Sequence, residues 1–139
     1  MRRFSSQVYE VVKTIPIGKV MSYGQVALYI GLPRAAQQVG WTLNRMKAVE
    51  EIPWWRVVNN QGRVSIKNFR HSAIEQRNLL RKEGIKITED FDFDIEKYRF
   101  IPDSKLLEKF KLDPMYLLTI SSRILYANYF PKRGLANRA

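Results

Sequence analysis

A chain of 139 residues is about one domain, long enough for a modest core of its own. Twenty-four basic against 13 acidic residues give a net charge of +11 and favour a polyanionic partner, nucleic acid first, over a merely solvated, thermally adapted surface. The absence of cysteine excludes a disulfide framework, a thiolate zinc site and a cysteine nucleophile together.

The charge is uneven: residues 1–82 hold 14 basic and 4 acidic side chains, while 83–102 hold 3 and 6. His71 is the only histidine, with no neighbouring serine in a nucleophile arrangement, so it is given no chemistry. No metal cluster or phosphate-cradling glycine loop is found, and no cofactor is expected. No run approaches the ~20 apolar residues of a membrane span. The Met1-Arg2-Arg3 start leads into an interrupted amphipathic stretch rather than an apolar signal region. An intracellular protein of the cytoplasm, nucleoid or nucleus is expected, with no membrane partner.

In chain order, Val8, Val11, Val12 and Ile15 stand at helical spacing and predict an opening helix over Ser5–Ile15, ended by Pro16 and Gly18. Ser22-Tyr23-Gly24-Gln25 has the form of a capping box, starting a helix through Tyr29 that Gly31 terminates. Pro33 suits the first turn of a further helix, about Pro33–Met46. So short a connection makes a helix-turn-helix or an ordinary helical hairpin. On that helix Ala36, Val39, Leu43 and Met46 form one stripe, for the core. Arg34, Gln37, Gln38, Trp41 and Arg45 gather on another, a mixture of cationic, amide and aromatic groups suited to phosphates and base edges. Trp41 reads equally as packing under the following loop.

Trp55–Val58 and Arg63–Ile66 are β-prone runs around Asn59-Asn60-Gln61-Gly62, which predicts a hairpin with Gly62 in the unusual backbone region. Ser72 and Glu75 form a second capping box for a helix that Gly84 closes. Residues 115–130, rich in Tyr, Leu and Ile, predict an extra helix whose apolar side packs on the domain, forms a dimer or binds another protein.

Pro53-Trp54-Trp55-Arg56-Val57-Val58 resembles the active-site motif of the O6-alkylguanine-DNA alkyltransferases, which carry Pro-Cys-His-Arg-Val there. Gly18–Ala27, Gly31-Leu32-Pro33 and Ala35–Gly40 resemble that family's helix-turn-helix. Asn59-Asn60-Gln61-Gly62, Glu75-Gln76-Arg77 and Glu83-Gly84 follow in the expected order. Together they span roughly residues 4–102. With Trp54 at the cysteine position and Trp55 at the histidine position, the resemblance is to the non-catalytic, alkyltransferase-like branch. An indole has neither a usable nucleophilic atom nor an acid–base group near neutral pH.

The resemblance implies an α/β, mostly α, fold: a winged helix-turn-helix-like domain over residues 1–102, with a small hairpin and a helical extension over 103–139. It further implies a non-enzymatic protein that docks in the minor groove of duplex DNA, rotates an O6-alkylguanine out of the stack, and flags it to excision-repair proteins. Tyr23 matches the tyrosine that helps rotate the target phosphate. Gln37 stands where the family has an arginine that fills the vacated stack. Trp54, Tyr23, Phe69 and Arg70 are assigned to the alkyl-base pocket, and Tyr23, Arg34, Gln37, Gln38, Trp41 and Arg45 to DNA contact. Trp55 is assigned to core filling, and Glu83, matching the glutamate that orients the family's histidine, to pairing with Arg56. A helix-turn-helix transcription regulator or an architectural DNA-binding protein is the alternative. Because the motifs end near Pro102, the domain is expected to fold without residues 103–139.

Overall fold

The computed structural model describes residues 3–45, 51–64 and 72–122. The opening helix, α1, spans Phe4–Val12 and buries Val8, Val11 and Val12. Ile15 follows outside the helix but is also buried. Next comes β1, Met21–Ser22, running directly into α2, Tyr23–Tyr29. Ser22 Oγ accepts the Gln25 N–H at 3.0 Å and Gln25 Oε1 accepts the Ser22 N–H at 3.0 Å, so the capping box closes in both directions. Gly31, at φ +83°, ends α2 where a side chain would be strained.

The following helix, α3, spans Ala36–Asn44 and buries Val39 and Leu43. It starts three residues later than the proline suggests, because Leu32–Ala35 close a turn in which the Ala35 N–H reaches Leu32 O at 2.9 Å. Met46 lies outside the described residues. α2 is buried from Gln25 to Tyr29 and carries α3 on the surface side.

A 3-10 turn at Trp54–Arg56 leads into β2, Val57–Val58. β2 pairs with β1 in parallel, Met21 opposite Val57 and Ser22 opposite Val58. The expected hairpin is therefore corrected. The turn exists, with Asn59 Oδ1 accepting the N–H groups of Gln61 and Arg63 and Gly62 at φ +76°. Its two arms find different partners: both β2 residues are buried against β1, while the Val64 N–H bonds to Phe91 O and the Phe93 N–H to Gly62 O, each at 2.9 Å. A side chain at Gly62 would collide with the carbonyl oxygen of Phe93. Ser65 and Ile66 lie outside the described residues.

Helix α4, Ala73–Lys82, is capped by Ser72 Oγ on the Glu75 N–H and followed by Gly84 at φ +94°. Two short helices, α5 (Ile95–Tyr98) and α6 (Ser104–Lys109), are capped by Asp94 and Asp103. The last, α7, spans Pro114–Ser122.

The core does not stop near Pro102. Leu107 of α6, Phe110 and Ile120 of α7 are buried in one cluster with Val8, Val26, Leu28 and Trp54. The Tyr116 hydroxyl donates to Leu28 O, and the Phe110 ring lies 6.0 Å from that of Tyr29. The described part of the extension thus packs directly behind α2. A second cluster joins Val20, Val58, Val64, Leu80, Ile85, Ile87 and Ile95, with Trp55 and Ala73 touching both. Among the described residues, no helix is long and apolar enough to cross a membrane.

Candidate nucleic-acid interface

α3 divides as its sequence periodicity implies. Val39 and Leu43 hold it on α2, and Gln37, Gln38 and Arg45 are exposed. Trp41 is 49% exposed, a large apolar area to leave to water unless something covers it. Ala35 occupies the N-cap, so no N-cap side chain meets the amides of the first turn of α3. Arg34 lines a shallow depression beside that first turn with Leu32, Pro33 and Gln38. Cationic, amide and aromatic groups are thereby brought to one helix end and face.

Tyr23 begins α2, where the capping box fixes its backbone, and its ring lies against Gly40 of α3. Burial pushes its hydroxyl up to about 12, so it stays neutral at physiological pH and works only as a hydrogen-bonding group. Tyr23, Gly24, Leu28, Pro33 and Ala36 line a cleft of about 290 Å³ whose remaining lining is Asn59 and Asn60. The sequence marks those asparagines as a turn and as part of the family resemblance, not as cleft lining. The Asn59 side chain closes its own turn, and Asn59 and Asn60 share the cleft with the first residues of α2.

The motif Pro53–Val58 folds into a closed knot. Trp54 is 8% exposed, inside the main core, with its ring edge-on to Trp55 at 5.9 Å. Trp55 Nε1 donates to Glu83 Oε2 at 2.8 Å. The Arg56 guanidinium bonds both Glu83 oxygens, forms an ion pair at 2.8 Å, stacks 5.4 Å from the Trp55 ring and donates to Ile15 O. The Gly18 N–H completes the set at 3.0 Å on Glu83 Oε1. Burial works to raise the Glu83 carboxyl, but hydrogen bonds from Arg56, Gly18 and Trp55 and the Arg56 charge outweigh it, holding the group below the usual carboxylate range. Glu83 therefore pairs with Arg56, as expected. Trp55 fills space between the two clusters and, beyond that, spends its one polar atom on the carboxylate.

Gln76, fully buried on α4, donates to Trp55 O at 3.1 Å and Val57 O at 2.9 Å and ties the knot to the helix behind it. Of the four residues assigned to the alkyl-base pocket, Tyr23 lines the cleft and Trp54 is buried off its lining. Phe69 and Arg70 lie outside the described residues. Among the described residues no group of three His, Cys, Asp or Glu side chains could hold a metal ion.

Comparison with known proteins agrees with this geometry. The family described as "6-O-methylguanine DNA methyltransferase, DNA binding domain" matches residues 3–85. Alkyltransferase-like protein 1 of Schizosaccharomyces pombe is 32% identical over 106 residues, covering 73% of this chain and 98% of that protein. The DNA base-flipping protein of Escherichia coli is 38% identical over 97 residues, covering 70% of this chain and 74% of that one. The crystal structure of S. pombe Atl1 in complex with damaged DNA containing O6-carboxymethylguanine superposes with a TM-score of 0.68 at 32% identity, covering 73% of this chain and all of that one. The chain belongs to the family of the 6-O-methylguanine DNA methyltransferase DNA-binding domain, on its alkyltransferase-like branch.

Proposed function

We propose that this protein binds O6-alkylguanine in duplex DNA through α3 and the start of α2, rotates the damaged nucleotide out of the stack, and leaves the alkyl group in place. The observation that carries the second half is the knot at Glu83. The carboxylate that would serve a proton acceptor is occupied by an indole N–H and a guanidinium, Trp54 offers no nucleophilic atom, and the chain has no cysteine to take its place. Recognition then rests on apolar and stacking contact with an alkylated base, assigned to the segment bearing Phe69 and Arg70 and to Trp54, which lies off the cleft lining and has to be uncovered as the base enters. Gln37 fills part of the vacated stack, and Tyr23 guides the backbone of the rotated nucleotide.

The first half is supported by the exposed Gln37, Gln38, Trp41 and Arg45 on one helix and by the relative solved with damaged DNA. Flipping costs a few kcal/mol, less where a lesion already weakens pairing, which gives selectivity before any pocket contact. A protein that binds a lesion and does not remove it serves repair by marking it, so excision-repair proteins are its proposed further partners inside the cell.

The test is chemical. After incubation with excess duplex containing O6-methylguanine, mass spectrometry of the protein should show no added methyl group, and the recovered DNA should retain its lesion. A methyl gain on the protein, or conversion of the lesion to guanine, overturns the reading.

A further inference from the structure

Arg99 is a buried cation outside both the exposed face of α3 and the knot at Glu83. Its side chain is 5% exposed, while its ion-pair partner Glu96, at 2.9 Å, is 47% exposed. A guanidinium is held this far from water only where its donors are met by well-placed acceptors. One of those acceptors lines the cleft and another caps the helix whose first residue, Tyr23, lines it. Arg99 Nη1 donates to Gln25 Oε1 at 2.8 Å, the same oxygen that accepts the Ser22 N–H in the cap of α2. Arg99 Nη2 donates to Asn60 Oδ1 at 2.9 Å, on the turn whose asparagines complete the cleft lining. The backbone at Arg99 is itself fixed, by the bridge to Val20 and by the Phe100 N–H on Val20 O at 2.7 Å. One planar group therefore spans from the cap that sets Tyr23 to the side chain that shares the cleft with it.

We propose that Arg99 is a positioning residue for nucleotide flipping: it fixes the separation of Tyr23 and Asn60, and with it the fit of the cleft to the sugar-phosphate of the rotated nucleotide. This rests on the proposed function. A lysine keeps the charge but lacks the fork, so it cannot serve Gln25 and Asn60 with the same geometry. Displacement of a positioning group by a fraction of an ångström is felt in the rotated state rather than in general attraction to phosphates.

The experiment uses the full chain and four variants: Arg99→Lys, Arg99→Met, Asn60→Ala, and Arg99→Lys combined with Asn60→Ala. Affinity is measured for one duplex carrying O6-methylguanine or guanine at the target, and flipping is read by the fluorescence of a 2-aminopurine placed next to the target, at a temperature where thermal melts show every protein compared to be folded. Arg99→Lys and Asn60→Ala should each lower the lesion-to-undamaged affinity ratio and the flipping signal by about five- to tenfold, Arg99→Met by at least as much. The combined variant should add little to either single change, because both break one span. A folded Arg99→Lys with the wild-type ratio and signal, or additive losses in the combined variant, overturns the proposal. Should the Arg99 variants not fold, Asn60→Ala decides: a wild-type ratio and signal overturn it. A wild-type chain that does not distinguish the two duplexes overturns the functional reading, and this proposal with it.

Discussion

Around Glu83 a carboxylate, a guanidinium and an indole N–H satisfy one another, and behind α2 residues from far along the chain close the core. The outer face of α3, by contrast, leaves Gln37, Gln38, Arg45 and half of Trp41 to solvent. The first region resembles the alkyltransferase active-site motif in sequence, but its polar groups satisfy one another and its apolar groups close the core. The second holds amide, cationic and aromatic groups with their bonding capacity facing outward, as a surface must if DNA is to supply the partners. Mutations in the two regions should therefore separate: stability changes in the first, affinity changes in the second.

The largest expected effect is on the support side. Removing residues 103–139 strips Leu107, Phe110 and Ile120 from the main core and the Tyr116 hydroxyl from Leu28 O. At roughly 1.5–3 kcal/mol for each large apolar side chain, the loss approaches the whole stability of a small domain. Thermal denaturation should show no cooperative transition, or one lowered by tens of degrees. A truncated chain that melts like the full one would remove the extension from the support and restore the expectation drawn from the sequence motifs.

Glu83→Ala comes next, because it leaves the Arg56 guanidinium, 12% exposed, without its carboxylate and the Trp55 and Gly18 N–H groups without an acceptor. Breaking a buried pair on one side costs about 3–5 kcal/mol, to be read as a fall in the denaturation midpoint. The acid limb gives a milder version of the same break. A carboxyl held below its ordinary value contributes stability that is fully present above its unfolded value and disappears as pH falls through the lower folded value. Wild type should accordingly lose more stability on acidification below about pH 5 than Glu83→Gln, which has no carboxyl to protonate there. Parallel acid profiles would break the link between the knot and the depressed carboxyl.

The smallest stability effects belong to α3. Gln37→Ala should leave the melting transition within about 0.5 kcal/mol of wild type, the norm for an exposed site, while lowering affinity for the lesion duplex by roughly 0.5–1.5 kcal/mol. Gln37→Arg should hold or raise it, since a planar cation stacks and bonds where the amide only bonds. If Gln37→Ala instead shifts the melting point and not the affinity, the division between the two regions fails at its clearest residue.

Much of the helix-turn-helix was legible because local chemistry wrote it. The Ser22/Gln25 box, Gly31 and the Val39–Leu43 stripe each act within a few residues, and all three appear where the pattern puts them. The start of α3 was misjudged because Pro33 suits a helix but also closes the turn before one. The hairpin failed for a different reason. Alternation and Gly62 report a turn, but nothing local reports that Val57 and Val58 will find Met21 and Ser22, which lie more than thirty residues earlier. The Glu83 knot could be anticipated only as a pair with Arg56. That Trp55 would join it depended on the 3-10 turn, which brings the indole to α4's end. Arg99 gave no signal, being one more basic residue in a basic chain until the fold set it between Gln25 and Asn60.

The central claim is that the open face of α3 and the start of α2 recognise alkylated guanine in duplex DNA. The most direct measurement is an equilibrium titration of the full chain with two otherwise identical duplexes, one with guanine and one with O6-methylguanine at a single position, at matched salt. Binding to the modified duplex should be tighter by about tenfold or more, as expected when apolar contact is gained and the damaged pair opens at lower cost. Raising the salt should weaken both, with a log–log slope of about −0.9 per neutralised phosphate, and leave the ratio standing. Equal affinity for the two duplexes would contradict the account.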